Sequence, residues 1–259
     1  MTSLWTDRGT LTGGQYRTDA NLAARQSVYA FQRPRLDLPA AVFSLARLDG
    51  TETVADIGCG NGAYLAELRR RGHGGPAVGV DLSAGMLQAA RTAAPGAAVL
   101  RGDAARLPLA DGCAAVTLAP HMLYHVPDPL AAITELRRVT KAGGRVLVVL
   151  NGADHLRELK DLADQVPGPA RAGDWTEPLR LDDGQEMLTA VFGSVERHDF
   201  TAELALTDNG PVAAYIRSMT PVQQLPDPDA AVATAVAAIP RGPDGVFRVR
   251  THTGCLIAS

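Results

Sequence analysis

The chain has 259 residues, 46% hydrophobic and 20% charged, with a formal net charge of -3. That is enough chain to bury a sizeable core, and a faintly acidic protein without Lys/Arg blocks excludes the clustered positive field that nucleic acid and anionic membranes require. No apolar run is long enough for a spanning helix, the segment Met1 to Gly14 lacks the basic-then-apolar pattern of a signal peptide, and Cys59, Cys113 and Cys255 are too scattered for a disulfide framework or zinc site; a cytoplasmic protein with reduced thiols and no bound metal is expected.

In chain order, residues 15–47 read as partly amphipathic helix, with Pro34 and Pro39 dividing the stretch into short pieces. From Thr53 the pattern changes. Apolar runs at Thr53–Ile57, Ala77–Val80, Ala98–Arg101, Ala115–Leu118 and Arg145–Leu150 alternate with helical segments at Ala63–Arg71, Ser83–Arg91 and Pro129–Lys141. Strands without polar alternation, spaced by helices, predict a parallel sheet covered on both faces. Ser83 suits an N-cap, and Gly143-Gly144 a helix stop. Beyond Leu150, a helix is expected over Asp154–Gln165, a loop over Pro167–Asp174 and a strand over Val195–Leu206. Small helices follow over Pro211–Ser218 and Asp229–Ala238, then a last strand over Gly245–Ala258.

The strongest motif is Val54-Ala55-Asp56-Ile57-Gly58-Cys59-Gly60-Asn61-Gly62-Ala63, at a strand-to-helix turn. Glycines there let the backbone turn sharply and approach a ligand, while the following helix presents free N–H groups. Gly58, Gly60 and Ala63 also satisfy the dinucleotide fingerprint, so the loop alone points to an adenosine-containing cofactor without saying which. Asp81, ending the next strand, suits ribose hydroxyls in either case. Asp56, two residues before the first glycine, favours a cationic amino group over a pyrophosphate. Asp103 ends the third strand, where a carboxylate can accept from an adenine amine, and His121–Asp128 follows the fourth, at the ligand-binding edge of such sheets.

In these elements, together with Glu135–Gly144, the sequence resembles class I S-adenosylmethionine-dependent methyltransferases, particularly bacterial small-molecule methyltransferases, continuously over about residues 50–150. The resemblance implies a Rossmann-like, seven-stranded, mostly parallel sheet with helices on both faces, its last strand antiparallel. An N-terminal helical segment (1–47) and a small helical lid near 208–243 would flank a cofactor-binding core (48–150) and a C-terminal half (151–259). The implied cofactor is S-adenosylmethionine, with S-adenosylhomocysteine as product. Carried over by position, Asp56 would hold the methionine amine, with Gly58, Gly60 and Gly62 lining the loop. Asp81 would bind the ribose, Leu82 and Met86 would pack near adenine, Asp103 and Ala104 would contact it, and Ala119 would sit beside the methionine portion. Two departures are Ala114-Ala115, where an acidic residue often begins the fourth strand, and Ala142, where proline commonly precedes the glycine pair.

A sulfonium carries its own activated methyl, so the protein needs position, dryness and sometimes a base. His121, His125 and His155 are base candidates by position, and Tyr124 a candidate orienting hydroxyl. The simpler reading of His125 is a structural hydrogen-bonder, and of His73, His198 and His252 solvated surface positions. Tyr29 and Arg33 are expected over the cofactor, as in related methyltransferases, with Arg33 pairing with its carboxylate; the equal alternative is that Tyr29 and Phe31 simply dock this segment on the sheet. Tyr215 and Met219 are expected to give the substrate pocket an apolar wall. A small-molecule substrate, probed by a monomer or homodimer without nucleic-acid or membrane partners, completes the expectation. The same loops would equally serve an enzyme that transfers the aminocarboxypropyl part of the sulfonium or catalyses a pericyclic reaction, or a protein that binds the cofactor without turnover.

Overall fold

In the computed structural model, which describes residues 5–166 and 177–259, the apolar runs form the parallel strands of one sheet, with Ala98–Arg101 at its edge. The strands are β1 (Gln32–Arg33), β2 (Val54–Ile57), β3 (Ala77–Asp81), β4 (Ala98–Arg101), β5 (Ala114–Pro120), β6 (Thr140–Asn151), β7 (Val195–Leu206) and β8 (Phe247–Ala258). Their order is β1-β7-β8-β6-β5-β2-β3-β4. The run from β4 to β6 is parallel, whereas β8 lies antiparallel between β6 and β7. The eight strands exceed the seven expected because Gln32–Arg33 adds a two-residue antiparallel edge to β7. The loop expected at Pro167–Asp174 lies outside the described residues.

Helices cover both faces because each turns an apolar stripe inward. Leu38–Ala46, Ala63–Arg70 and Ala84–Ala93 bury Phe43, Leu65, Leu68 and Leu87 against Val54, Val116 and Leu118. Pro129–Val139 and Leu181–Phe192 bury Ile133, Leu136 and Leu188 on the opposite face, with Ile57 and Val148. A third cluster joins Val28, the helix Arg157–Ala163 and the helices Gly210–Arg217 and Pro228–Ala237, which stand between β7 and β8.

Several boundaries differ from expectation for local reasons. Pro39 does not break a helix; it sits in the first turn of Leu38–Ala46, where its missing N–H costs nothing, behind the Asp37 cap. The helix expected to reach Lys141 ends at Val139, and Thr140 opens β6 with its hydroxyl bonded to the Leu136 carbonyl at 2.7 Å. The Ser83 cap forms as expected, accepting from the Met86 N–H. His73, expected in solvent, is buried, with Nε2 2.9 Å from the Glu52 carbonyl.

The chain crosses from the β2–β3–β4 half to the β5–β6 half, so the carboxyl ends of β2 and β5 are neighbours where connections diverge. Open parallel sheets bind ligands in that crevice.

Candidate active site

A cavity of about 700 Å³ fills the crevice. Its floor is the turn after β2. Gly58 and Gly60 line it with φ of 69° and 53°, backbone open to residues without a Cβ. A Cβ at Gly58 would stand 2.5 Å from that of Met122. The Asp81 carboxylate reinforces the turn, accepting from the Gly60 N–H at 2.9 Å and the Ser83 N–H at 2.8 Å. Burial nevertheless raises the Asp81 pKa above the usual carboxylate range. Leu82, Met86, Asp103 and Ala104 continue the wall on this side.

The roof comes from the N-terminal segment. Arg8 pairs with Asp103, which also accepts from the Ala105 N–H at 3.0 Å. The Tyr16 carbonyl accepts from the Ser83 hydroxyl at 2.7 Å. His125 holds the segment from below: Nδ1 is 2.9 Å from the Trp5 carbonyl and Nε2 is 2.9 Å from the Tyr16 hydroxyl. A carbonyl can only accept, so Nδ1 carries the hydrogen and Nε2 accepts from the phenol. Burial keeps this ring neutral, its pKa lowered to about 4.

At the other end, beyond β5 and β6, stand His121, Tyr124, Tyr29, His155, Glu177 and Tyr215. His121 has a φ of 54°, left-handed backbone that a non-glycine residue adopts only when the surroundings impose it. Its N–H donates to the Val149 carbonyl at 2.9 Å, and its ring reaches the cavity without a hydrogen-bond partner among the described residues. Burial lowers its pKa to about 4, leaving a neutral imidazole. His155 Nδ1 accepts the His252 N–H at 3.1 Å, so the neutral ring donates through Nε2 to the Tyr29 hydroxyl at 2.9 Å. The Tyr29 hydrogen is thereby left for another acceptor, and burial holds that phenol protonated. Glu177 accepts from Lys160 Nζ at 2.8 Å and Asn151 Nδ2 at 3.2 Å.

Among the expected residues, Tyr29, Gly58, Gly60, Asp81, Leu82, Met86, Asp103, Ala104, His121, Tyr124 and His125 share this one wall. Five stand outside it. Arg33 is exposed and donates to the Gln32 carbonyl, because β1 alternates and turns Gln32 inward instead. Gly62 serves helix packing: a Cβ there would lie 2.9 Å from the Ala90 Cα. Ala119 is enclosed in the core, and its neighbours Pro120 and His121 form the wall. Asp56 lies fully buried behind the loop, neither carboxylate oxygen having a hydrogen-bond partner among the described residues. Burial, then the nearby Asp81, pushes its pKa up to about 8. Met219 packs in the third core cluster, leaving Tyr215 alone of that pair at the cavity.

Sequence reasoning missed Arg8, Tyr16, Arg25, Gln32 and Glu177, all of which line the cavity. Gln32 lies on a two-residue strand too short to show alternation, and Glu177 has no local signal, since it meets Asn151 and Lys160 only through tertiary contacts.

Residues 55–148 match the family model described as a methyltransferase domain. The chain is 32% identical over 168 residues to a malonyl-[acyl-carrier protein] O-methyltransferase of Serratia marcescens, covering 65% of this chain and 62% of that enzyme. It thus spans less than two thirds of that relative's length. The YcgJ protein of Bacillus subtilis superposes with a TM-score of 0.61 at 18% identity, over 85% of this chain and 96% of that one. The [4+2]-cyclase SpnF superposes with a TM-score of 0.60 at 18% identity, over 97% and 96%. Residues 55–148 are thus similar to methyltransferase domains, in line with the resemblance read from the sequence. S-adenosylmethionine, the cofactor which that similarity implies, fits the residues present. The glycine backbone is open to a ligand, Asp81 offers a carboxylate in the wall, and Asp56 stands behind the loop unpartnered.

Proposed function

We propose that the chain moves the methyl group of S-adenosylmethionine to an oxygen, nitrogen or carbon atom of a small molecule, as in secondary metabolism, leaving S-adenosylhomocysteine. The observation that carries this reading is the continuity of one cavity from Asp81 and Asp103, past the glycine turn, to His121 and Tyr29. When bound, the cofactor supplies a methyl group already activated on sulfur. Asp81 would accept from ribose hydroxyls, Asp103 and Ala104 would face the adenine, and Gly58 and Gly60 would bring backbone against the amino-acid portion.

The protein's own work is then placement and proton handling. His121 is the base candidate, because its ring is neutral, free and in the wall. His125 has both nitrogens committed and acts by holding Trp5 and Tyr16 over the site. Tyr29, its oxygen taken by His155, presents a hydrogen to orient the acceptor. The roof and Tyr215, from the helices between β7 and β8, shape the substrate end. The acidic net charge and the concave, mostly apolar cavity favour a small molecule over nucleic acid. No helix among the described residues is long and apolar enough to cross a membrane.

The test is turnover with S-adenosylmethionine and a panel of phenols, amines and carboxylic acids, read by mass. Methyl transfer predicts S-adenosylhomocysteine in equal amount with a methylated acceptor. Methylthioadenosine would instead show aminocarboxypropyl chemistry, and product formed without cofactor consumption a reaction of the pericyclic kind.

A further inference from the structure

Arg25 is a cation in the cavity wall with no ion pair among the described residues. It lies in the last turn of the helix Ala20–Ser27, its Nε donating to the Asn21 carbonyl at 3.2 Å and its guanidinium 5.5 Å from the centre of the Tyr16 ring. Nη2 is buried and has no hydrogen-bond partner among the described residues. A guanidinium stays charged at any physiological pH, and a buried charged donor without an acceptor is costly, so such a group is retained where something else completes it.

The described acids in the wall are all otherwise engaged. Asp37 caps a helix through the Ala40 N–H, Asp81 holds Gly60 and Ser83, Asp103 pairs with Arg8, and Glu177 is bound by Lys160 and Asn151. The phenols near Arg25 are buried and protonated. Position separates Arg25 from the nucleotide end. Leu22 is the residue of this helix that reaches the glycine turn, 3.9 Å from where a Gly60 Cβ would be. Arg25 lies nearly one helical turn further on, in the company of Tyr16, Tyr124, His125 and Tyr215.

We infer that the methyl acceptor carries a carboxylate, which Arg25 binds through its buried Nη2 edge in a charge-assisted hydrogen bond. This rests on the reading of the cavity as a shared cofactor and acceptor site. It names the substrate class as small organic acids, with Arg25 as the specificity-determining residue.

Benzoate and its neutral counterpart benzamide are the probes, titrated into protein saturated with S-adenosylhomocysteine. The wild type is expected to prefer benzoate by about tenfold or more. Arg25→Gln should abolish the preference without altering S-adenosylhomocysteine affinity, and Arg25→Lys should restore part of it; thermal melts of each variant verify folding. Equal or absent binding of the two probes to the loaded wild type overturns the inference. So does an Arg25→Gln variant that loses S-adenosylhomocysteine affinity while keeping 5′-methylthioadenosine affinity, which would assign Arg25 to the cofactor's own carboxylate. Failure of the wild type to bind S-adenosylhomocysteine at all would remove the cofactor reading itself, and the inference with it.

Discussion

His121 combines two properties that one substitution separates poorly and two separate well. Its imidazole faces the cavity, and its backbone sits at a φ of 54°. His121→Ala removes the ring and keeps the strain; His121→Gly removes both. We expect both variants to lose turnover by about 10²- to 10⁴-fold if the ring is the base, with cofactor affinity little changed. The glycine variant should unfold at about 1 kcal/mol higher stability than the alanine variant in urea titrations. Proportional loss of turnover and cofactor affinity would make His121 a wall of the cofactor site. Equal stability of the two variants would show that the surroundings absorb the strain.

At the scale of elements, the N-terminal roof depends on few bonds. Tyr16→Phe deletes the phenol that His125 accepts from, leaving a buried Nε2 unsatisfied, and should cost about 1 kcal/mol while speeding hydrogen exchange over residues 5–17. Unchanged exchange would show that Arg8 and the Ser83 contact suffice. Gly62→Ala tests a different element. Its φ of 81° and the Ala90 backbone predict a loss of about 1–3 kcal/mol from helix packing, without a specific effect on cofactor affinity. These elements also show what was legible in the sequence. The parallel strands and their helices were, because buried strands such as β2 and β5 read as unbroken apolar runs and Ser83 marked its helix start. The glycine turn and Asp81 were legible for the same reason, since the motif is local. Arg33 was misplaced because a two-residue edge strand gives no periodicity to count, and its pleat sends Gln32 inward. Arg25 and Glu177 were illegible because nothing in their neighbouring residues records which distant elements they meet.

Across the whole molecule, buried ionisable groups predict a stability optimum near neutrality. His121 and His125 titrate near 4 and His155 also lies well below its ordinary value, because burial disfavours their charged forms. The unfolded chain takes up those protons near pH 6.5, so their contribution is present above that value and lost as pH falls toward 4. Asp56 runs the other way: folded, it keeps its proton to about 8, so stability falls as pH rises through that range. Below pH 6.5 three histidines outweigh one carboxyl, and stability should rise with pH by on the order of 1 kcal/mol per unit. Above it, Asp56 acts with His252, whose hydrogen bonds to Asp199 and Asp154 outweigh burial and raise its pKa, and stability should decline toward pH 8. Denaturation at a series of pH values should find this maximum, and Asp56→Asn should flatten its alkaline side. A wild-type curve still rising between pH 7 and 8 would contradict the assignment of a protonated Asp56.

The central claim is that this cavity takes S-adenosylmethionine, with Asp81 in its wall. Calorimetric titration of the wild type and Asp81→Ala with S-adenosylhomocysteine, alongside NADH, tests it most directly. The account predicts micromolar binding of S-adenosylhomocysteine to the wild type, a loss of about 1.5–3 kcal/mol in Asp81→Ala from the missing charge-assisted hydrogen bonds, and no heat from NADH. NADH binding without S-adenosylhomocysteine binding, or an Asp81→Ala affinity equal to the wild type's, would contradict it.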